Sequence, residues 1–279
     1  MRGPTALVLA LLLALLAVAG LKHEIDAIPR TAVPGSSLIY VPSGKFLKAA
    51  TFGYSSFLAD VLFVWAIQYY GNPAIKDKFA SFEHIFSILA ELDPGWVDPY
   101  QVAALIAIYD ARDVGLALKM YDLGASKNPG QWIFPIEAGH AAQYYLKDYA
   151  LAKTYYKKAM EIPGAPAIAK RLFANAAFQT MDLKTAWETW SEVFETATDP
   201  QIRKIASNHL YRIKASSDIG ALKEALRLYR VRYGQWPADL ERLARGGYLS
   251  SIPKDLDDKD YVYDPRTGEV RTAVIPWKR

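Results

Sequence analysis

The sequence predicts an all-α protein, a right-handed α-solenoid of helical hairpins that carries an apolar N-terminal helix and a small α+β C-terminal cap. Three observations predict it. An aspartate, a small residue four positions on and an aromatic four further recur every 34 to 36 residues, as Asp113-Ala117-Tyr121, Asp148-Ala152-Tyr156 and Asp182-Ala186-Trp190, with a degraded copy at Asp218-Leu222-Leu226. Proline turns punctuate the same stretch at Asp93-Pro94, Asn128-Pro129, Ile162-Pro163-Gly164 and Asp199-Pro200. After Leu228 the helical pattern gives way to a turn-rich tail with strand-like alternation. A fixed period of this length marks stacked supersecondary units, because one helical hairpin cannot bury its apolar face alone.

At 279 residues, 52% hydrophobic and 22% charged, the chain is long and apolar enough for a sizeable core. Its net charge of +4 is spread along the sequence, so the basic stripe that phosphate binding needs is missing and nucleic acid is not an expected partner. Cysteine is absent, which removes disulfides, thiolate metal sites and cysteine nucleophiles together.

Residues 1–21 read as an export segment. Arg2 precedes an unbroken apolar run of 16 residues from Ala6 to Leu21, before the first charges at Lys22 and Glu24. The run is slightly long for a signal-peptide core and slightly short of the about 20 residues of a spanning helix. Ala17-Val18-Ala19 fits a small-x-small cleavage site. A cleaved signal and a retained membrane anchor both follow from this pattern, and either places the remaining chain in the cell envelope, outside the cytoplasmic membrane.

Residues 22–42 form a linker rich in proline (Pro29, Pro34, Pro42), with a short extended segment at Leu38-Ile39-Tyr40-Val41. The repeat domain is expected over 43–229. Ser43 is placed to cap a helix whose apolar residues run from Phe46 through Phe57, Val61 and Trp65 to Tyr69, ending at Gly71-Asn72-Pro73. A second helix from about Lys76 to Leu92 carries Phe79, Phe82, Phe86 and Leu89, and Phe86 lies 35 residues before Tyr121. About five hairpins follow from this phasing. Asp113, Asp148 and Asp182 stand where a carboxylate accepts hydrogen bonds from the free amides at a helix start. Ala117, Ala152 and Ala186 let paired helices approach, and Tyr121, Tyr156 and Trp190 fill the space between hairpins, with Gly124 and Ala159 thinning the next turn.

These residues resemble the tetratricopeptide repeat family, over roughly Ala66 to Tyr229. The third unit carries the resemblance best, where Asp148-Tyr149-Ala150-Leu151-Ala152 is followed by Tyr156 and Ala159. Gly139 stands near the family's glycine in a first helix, while the Trp, Leu and Tyr expected around it are out of phase. The resemblance implies a concave groove, lined by first helices, that binds extended or helical segments of partner proteins. Residues outside the packing phase, Trp96, Tyr100, Trp132 and Tyr144, are the candidates for a partner surface, although core is the preferred home for each, and His140 is the candidate to face the groove beside the preferred reading of a partly buried histidine hydrogen-bonded inside the solenoid.

The tail, 230–279, reads as a turn at Gly234-Gln235-Trp236-Pro237, a short helix over Ala238–Leu243 and a hairpin joining Tyr261-Val262-Tyr263 to Glu269–Val274 through Asp264-Pro265-Arg266-Thr267-Gly268. It resembles the C-terminal half of type II secretion major pseudopilins, in which the loop before the final strands can bind calcium. Asp255, Asp257, Asp258 and Asp260 supply oxygens for such an ion. Lys259 at the fifth position and the missing glycine break the EF-hand pattern, so a solvated acidic turn neutralised by Lys254 and Lys259 is preferred.

No catalytic constellation emerges. His23, His84, His140 and His209 are scattered, and the chain lacks a nucleophile elbow, a phosphate loop and a dinucleotide fingerprint. The expectation is a non-enzymatic, cofactor-free scaffold that binds protein partners of an envelope complex in a secretion or pilus assembly. The alternative is a structural subunit whose tail packs into an extracellular polymer.

Overall fold

The computed structural model describes residues 4–27 and 41–275, and over these the chain is mostly helical with one two-stranded sheet. The apolar run becomes α1, Pro4–Ala27, which continues beyond Leu21 and so takes in the first residues of the expected linker. Residues 38–40 of the expected extended segment lie outside the described residues. Leu11, Leu13, Leu16 and Leu21 of α1 are all exposed. No helix, searched over the described residues, is long and apolar enough to cross a membrane.

The long helix expected after Ser43 is two helices. They are α2, Gly44–Ala50, and α3, Ser55–Gly71, separated by a turn in which Phe52 and Gly53 take φ of 50° and 98°. Ser43 precedes α2 without a side-chain cap bond. The fault in the expectation is Gly53, whose freedom at positive φ lets the chain reverse where apolar spacing alone runs straight through. Gly44 then seats α2 on the later helix that ends at Leu92, since a Cβ there would stand 2.6 Å from the Cβ of Glu91. The helix expected from Lys76 begins instead as a 3₁₀ turn, Lys78–Ser81, and becomes α4 at Phe82–Leu92.

Then come α5, Asp98–Tyr109, and α6, Val114–Lys127; α7, Ile133–Ala141, and α8, Tyr149–Met160; α9, Ala167–Gln179, and α10, Leu183–Thr196. From α5 onward each helix packs on its neighbours in chain order. The three aspartates cap α6, α8 and α10, accepting from Leu116 N at 2.9 Å, Leu151 N at 2.8 Å and Thr185 N at 3.3 Å. The residue before each one, Arg112, Lys147 and Met181, is left-handed with φ of 54°, 56° and 59°. That single backbone reversal turns the chain from the first helix into the second, and the following amide of Asp113, Asp148 or Asp182 bonds back to Ala107, Ala142 or Ala177 at 2.8 to 3.0 Å.

Ala117, Ala152 and Ala186 are fully buried, as are Tyr121, Tyr156 and Trp190 within a few per cent. The Phe134 ring lies over Gly124 and the Tyr156 ring over Gly139, where added Cβ atoms would approach to 2.5 and 2.4 Å. On the opposite edge Asn128 joins successive proline turns, donating from Nδ2 to the carbonyls of Pro94 at 2.8 Å and Gly124 at 3.2 Å.

The fifth hairpin is absent. In its place stands one continuous helix, α11, Pro200–Tyr233, started by Asp199 and ended by Gly234 at φ 73°. Asp218 therefore lies in mid-helix and caps nothing, which corrects the degraded fourth copy of the repeated phrase. The tail folds back on the second half of α11. It contributes α12, Glu241–Arg245, rather than the helix expected at 238–243, and the antiparallel strands β1, Val262–Asp264, and β2, Glu269–Arg271. Leu240, Leu243, Tyr261 and Val270 form one core with Tyr211, Leu222 and Leu226 of α11. The strands are shorter than the alternation suggested, with Val262 facing Arg271 and Asp264 facing Glu269.

Candidate functional site

The first helices of the middle units, α5, α7 and α9, present their outward residues in matching phase. Leu105, His140 and Asn175 are spaced by 35 residues, and so are Tyr109, Tyr144 and Gln179. None of the six is buried, and Leu105, Tyr109, Tyr144 and Gln179 are exposed outright. Each helix turns its alanine-rich side inward (Ala103, Ala104 and Ala107; Ala138 and Ala141; Ala174, Ala176 and Ala177). The opposite ridge is left to solvent by the same 3.6-residue periodicity.

A π turn, Ala142–Leu146, extends α7 and holds Tyr144, Tyr145 and Leu146 at the surface. Such turns widen the helix by one residue and occur often at functional sites. The Tyr109 and Tyr145 hydroxyls meet at 2.7 Å with their rings edge to face, so adjacent units share an aromatic seam. The Tyr145 hydroxyl is held above its usual pKa, first by that hydrogen bond and then by burial and Tyr109.

His140 sits beside this seam. Its ring is 5.8 Å from Tyr144 and 5.7 Å from Tyr156, and its Nδ1 lies 3.6 Å from Glu137 Oε2 on the preceding turn. The i, i+3 spacing that makes this pairing was present in the sequence, where no carboxylate was assigned to His140. Neither group is enclosed, and none of the four clefts described next includes His140. The arrangement offers hydrogen-bond donors and acceptors among tyrosine faces, which suits a polypeptide segment.

The other candidates separate. Tyr100 is core and not surface: it is 2% exposed, packs edge to face on Phe134 and donates to the Pro94 carbonyl at 3.1 Å. Burial, with the nearby Asp93 and Glu91 charges, pushes its hydroxyl up to about 12. Its position in the first turn of α5 turns it toward the alanine side, a direction that repeat phase alone did not resolve. Trp96 is half-buried against Phe63 at 4.8 Å and donates to Asp98 Oδ2 at 3.0 Å. Trp132 is half-buried at the start of α7, against Ile136, Ala159 and Ala169 and their neighbours. Of the five residues singled out, the structure brings His140 and Tyr144 together and sets the other three in or against packing. Tyr109, Tyr145, Leu105 and Glu137 were missed, although Tyr109 and Tyr144 already stood one period apart.

Two clefts of about 400 and 310 Å³ recur one unit apart near the proline turns. The smaller joins Phe134, Tyr155 and Asp122, whose contact at 3.0 Å and the surrounding burial raise the Tyr155 hydroxyl to about 12, burial being the larger cause. Two further shallow clefts lie along α11. His209 stacks on Trp190 with ring centroids 3.9 Å apart, and burial, reinforced by Arg212, depresses its pKa to about 4. It serves as a neutral aromatic spacer between α10 and α11.

The tail aspartates have structural partners. Asp255 is buried and accepts from the Tyr211 hydroxyl at 2.7 Å and from the amides of Asp257 and Lys259 at 2.9 Å each. Burial pushes its pKa up, yet these donors together outweigh it and hold the carboxyl below its ordinary value. Asp257, Asp258 and Asp260 are exposed, and among the described residues no group of three or more acidic or histidine side chains could hold a metal ion. No protein-family model matches the chain, and comparison with curated proteins finds no match.

Proposed function

We propose that this protein is a non-enzymatic scaffold of the cell envelope, built as a right-handed solenoid related to tetratricopeptide repeats, which holds an extended or helical segment of a partner protein along α5, α7 and α9. The carrying observation is the in-phase ladder of unburied residues, Leu105, His140 and Asn175 beside Tyr109, Tyr144 and Gln179, on consecutive first helices. A ladder at the repeat spacing matches an elongated ligand, because each unit offers the same kind of contact one step further on. Envelope location rests on the Arg2-led apolar run, cleaved or retained, and on the exposed leucines of α1, which no part of the folded body covers. The tail folds against its own α11, which gives it the role of a polar-faced cap closing the apolar end of the stack.

A photo-crosslinking phenylalanine analogue at Tyr144, and separately at Tyr109, tests this reading in native membranes. Both positions should trap the same partner chain, while the analogue at the exposed Glu188 of α10 traps none. Equal trapping at all three positions, or none at Tyr144 and Tyr109, would remove the ridge as the binding surface.

A further inference from the structure

The first unit of the stack differs from the others in what it leaves uncovered. From Gly44 to Tyr70 the only charged residues are Lys45, Lys48 and Asp60. The turn between α2 and α3 projects Phe52, which is 91% exposed, and Tyr54, which is 74% exposed, with Phe46 and Phe57 flanking them at about two-thirds exposure. Along α3 the exposed Phe57, Val61, Val64 and Ile67 continue the surface at spacings of four and three residues, one helical stripe. The inner residues Ala59, Phe63, Ala66 and Tyr70 are buried in the main core. The four aromatics alone leave roughly 600 Å² uncovered, at an order of 200 Å² per ring, at the upper end of the largest patch on an ordinary monomer.

We infer that the α2–α3 turn and the outer face of α3 lie against a lipid bilayer, so that the first unit of the scaffold rests on the membrane surface. This deepens the envelope reading and rests on it. Lipid is favoured over a protein occupant by composition and by reach. Phenylalanine and tyrosine at an exposed turn tip are the side chains that partition into the interfacial layer, the rings entering the acyl boundary, with the exposed Lys45 to meet phosphates while Lys48 donates to the Glu91 carbonyl at 3.1 Å. Along α3 before Gly71 the exposed polar residues are Ser56, Asp60 and Gln68, of which Asp60 alone is charged. The tether sets the reach. Thirteen residues separate Ala27, the end of α1, from Val41, a span of at most about 50 Å at about 3.6 Å per residue. A surface held that near to the apolar helix meets whatever bilayer the helix enters.

The absence of cysteine makes a decisive measurement simple. In the full-length chain, Ser56→Cys or Glu188→Cys carries a single nitroxide label, and vesicles of phosphatidylethanolamine with an anionic phosphatidylglycerol fraction supply the bilayer. Collision with oxygen against collision with a polar nickel chelate reports depth. With vesicles, the label at 56 should gain oxygen collisions and lose nickel collisions, while the label at 188 keeps its solution values. Replacing both Phe52 and Phe57 by serine should return the label at 56 toward its solution values while the chain still sediments with the vesicles through its N-terminal helix. Dipolar broadening of the label at 56 without vesicles would show a second copy seated on the face, and low collision with both reagents without vesicles would show the chain's own α1 there; either overturns the inference. A chain that sediments with vesicles but leaves the label at 56 in solution keeps the envelope reading and sinks only this one, whereas a chain that does not sediment at all sinks this one together with the retained anchor.

Discussion

The middle repeats and the C-terminal tail both depend on aspartates, and they use them in opposite ways. At Asp113, Asp148 and Asp182 the carboxylate accepts from an amide of its own chain three residues on, at a helix start exposed to water. Where the tail docks on α11, one carboxylate from each side reaches across elements. Asp255 accepts the hydroxyl of Tyr211, and Asp218 accepts the hydroxyl of Tyr261, both at 2.7 Å. Two tyrosine–aspartate pairs, one running from helix to tail and the other from tail to helix, thus clamp the last fifty or so residues to α11. Burial first, and then the Asp218 hydrogen bond, lift the Tyr261 hydroxyl well above its ordinary value, so it stays a donor throughout the physiological range. Local bonds define a turn and can be repeated; long-range bonds fix one particular docking and occur once.

Truncating the clamp has the largest expected effect. Asp255→Ala removes the carboxylate that the buried Tyr211 hydroxyl and two amides donate to, and should cost about 3 kcal/mol. Urea unfolding of the full chain measures it, and the loss should be accompanied by a change in Trp236 emission, because that ring packs on Gly268 and under Arg230 only when the tail is docked. A cost below about 1 kcal/mol would mean that the apolar contacts to Leu222 and Leu226 hold the tail without the clamp.

Cap truncation comes second and separates the two kinds of aspartate. Asp148→Ala should cost about 1 kcal/mol, and Asp148→Asn almost nothing, because asparagine offers the cap oxygen equally well. Asp255→Asn should not be tolerated in the same way: two amides and a hydroxyl all donate to that carboxylate, and an amide group brings only one acceptor oxygen. If asparagine served equally at both positions, the distinction between cap and clamp would fail.

This contrast also explains what the sequence disclosed. The caps, the alanines beneath them and the proline turns were legible because each depends on residues within one period, and the helical class of the fold followed from them. Asp218 was misread because spacing places a residue along the chain but does not reveal that Pro200–Tyr233 runs unbroken through it. Tyr100 was left between core and partner surface for a related reason, since its facing depends on where α5 begins, which Pro99 sets at the first turn. Beside the seam, Tyr144 was singled out by failing to match a packing phase and His140 by following Gly139 in a first helix, whereas Tyr109 and Tyr145 needed the π turn and the juxtaposition of two units. The α2–α3 turn needed the conformation of Phe52 and Gly53, to which apolar periodicity is blind.

The smallest expected effect lies in the three left-handed residues that precede the caps. Arg112, Lys147 and Met181 share a conformation that costs an L residue roughly 1 to 2 kcal/mol, and which glycine adopts freely. Lys147→Gly removes that strain and gives back part of it by loosening the unfolded chain, so a net gain of about 0.5 kcal/mol is expected. Lys147 is exposed, and its amide bond to the Ala142 carbonyl survives the change. Thermal melts of Lys147→Gly and Met181→Gly should therefore shift upward together. A loss at Lys147 with a gain at Met181 would assign the difference to packing of the lysine side chain at its own turn.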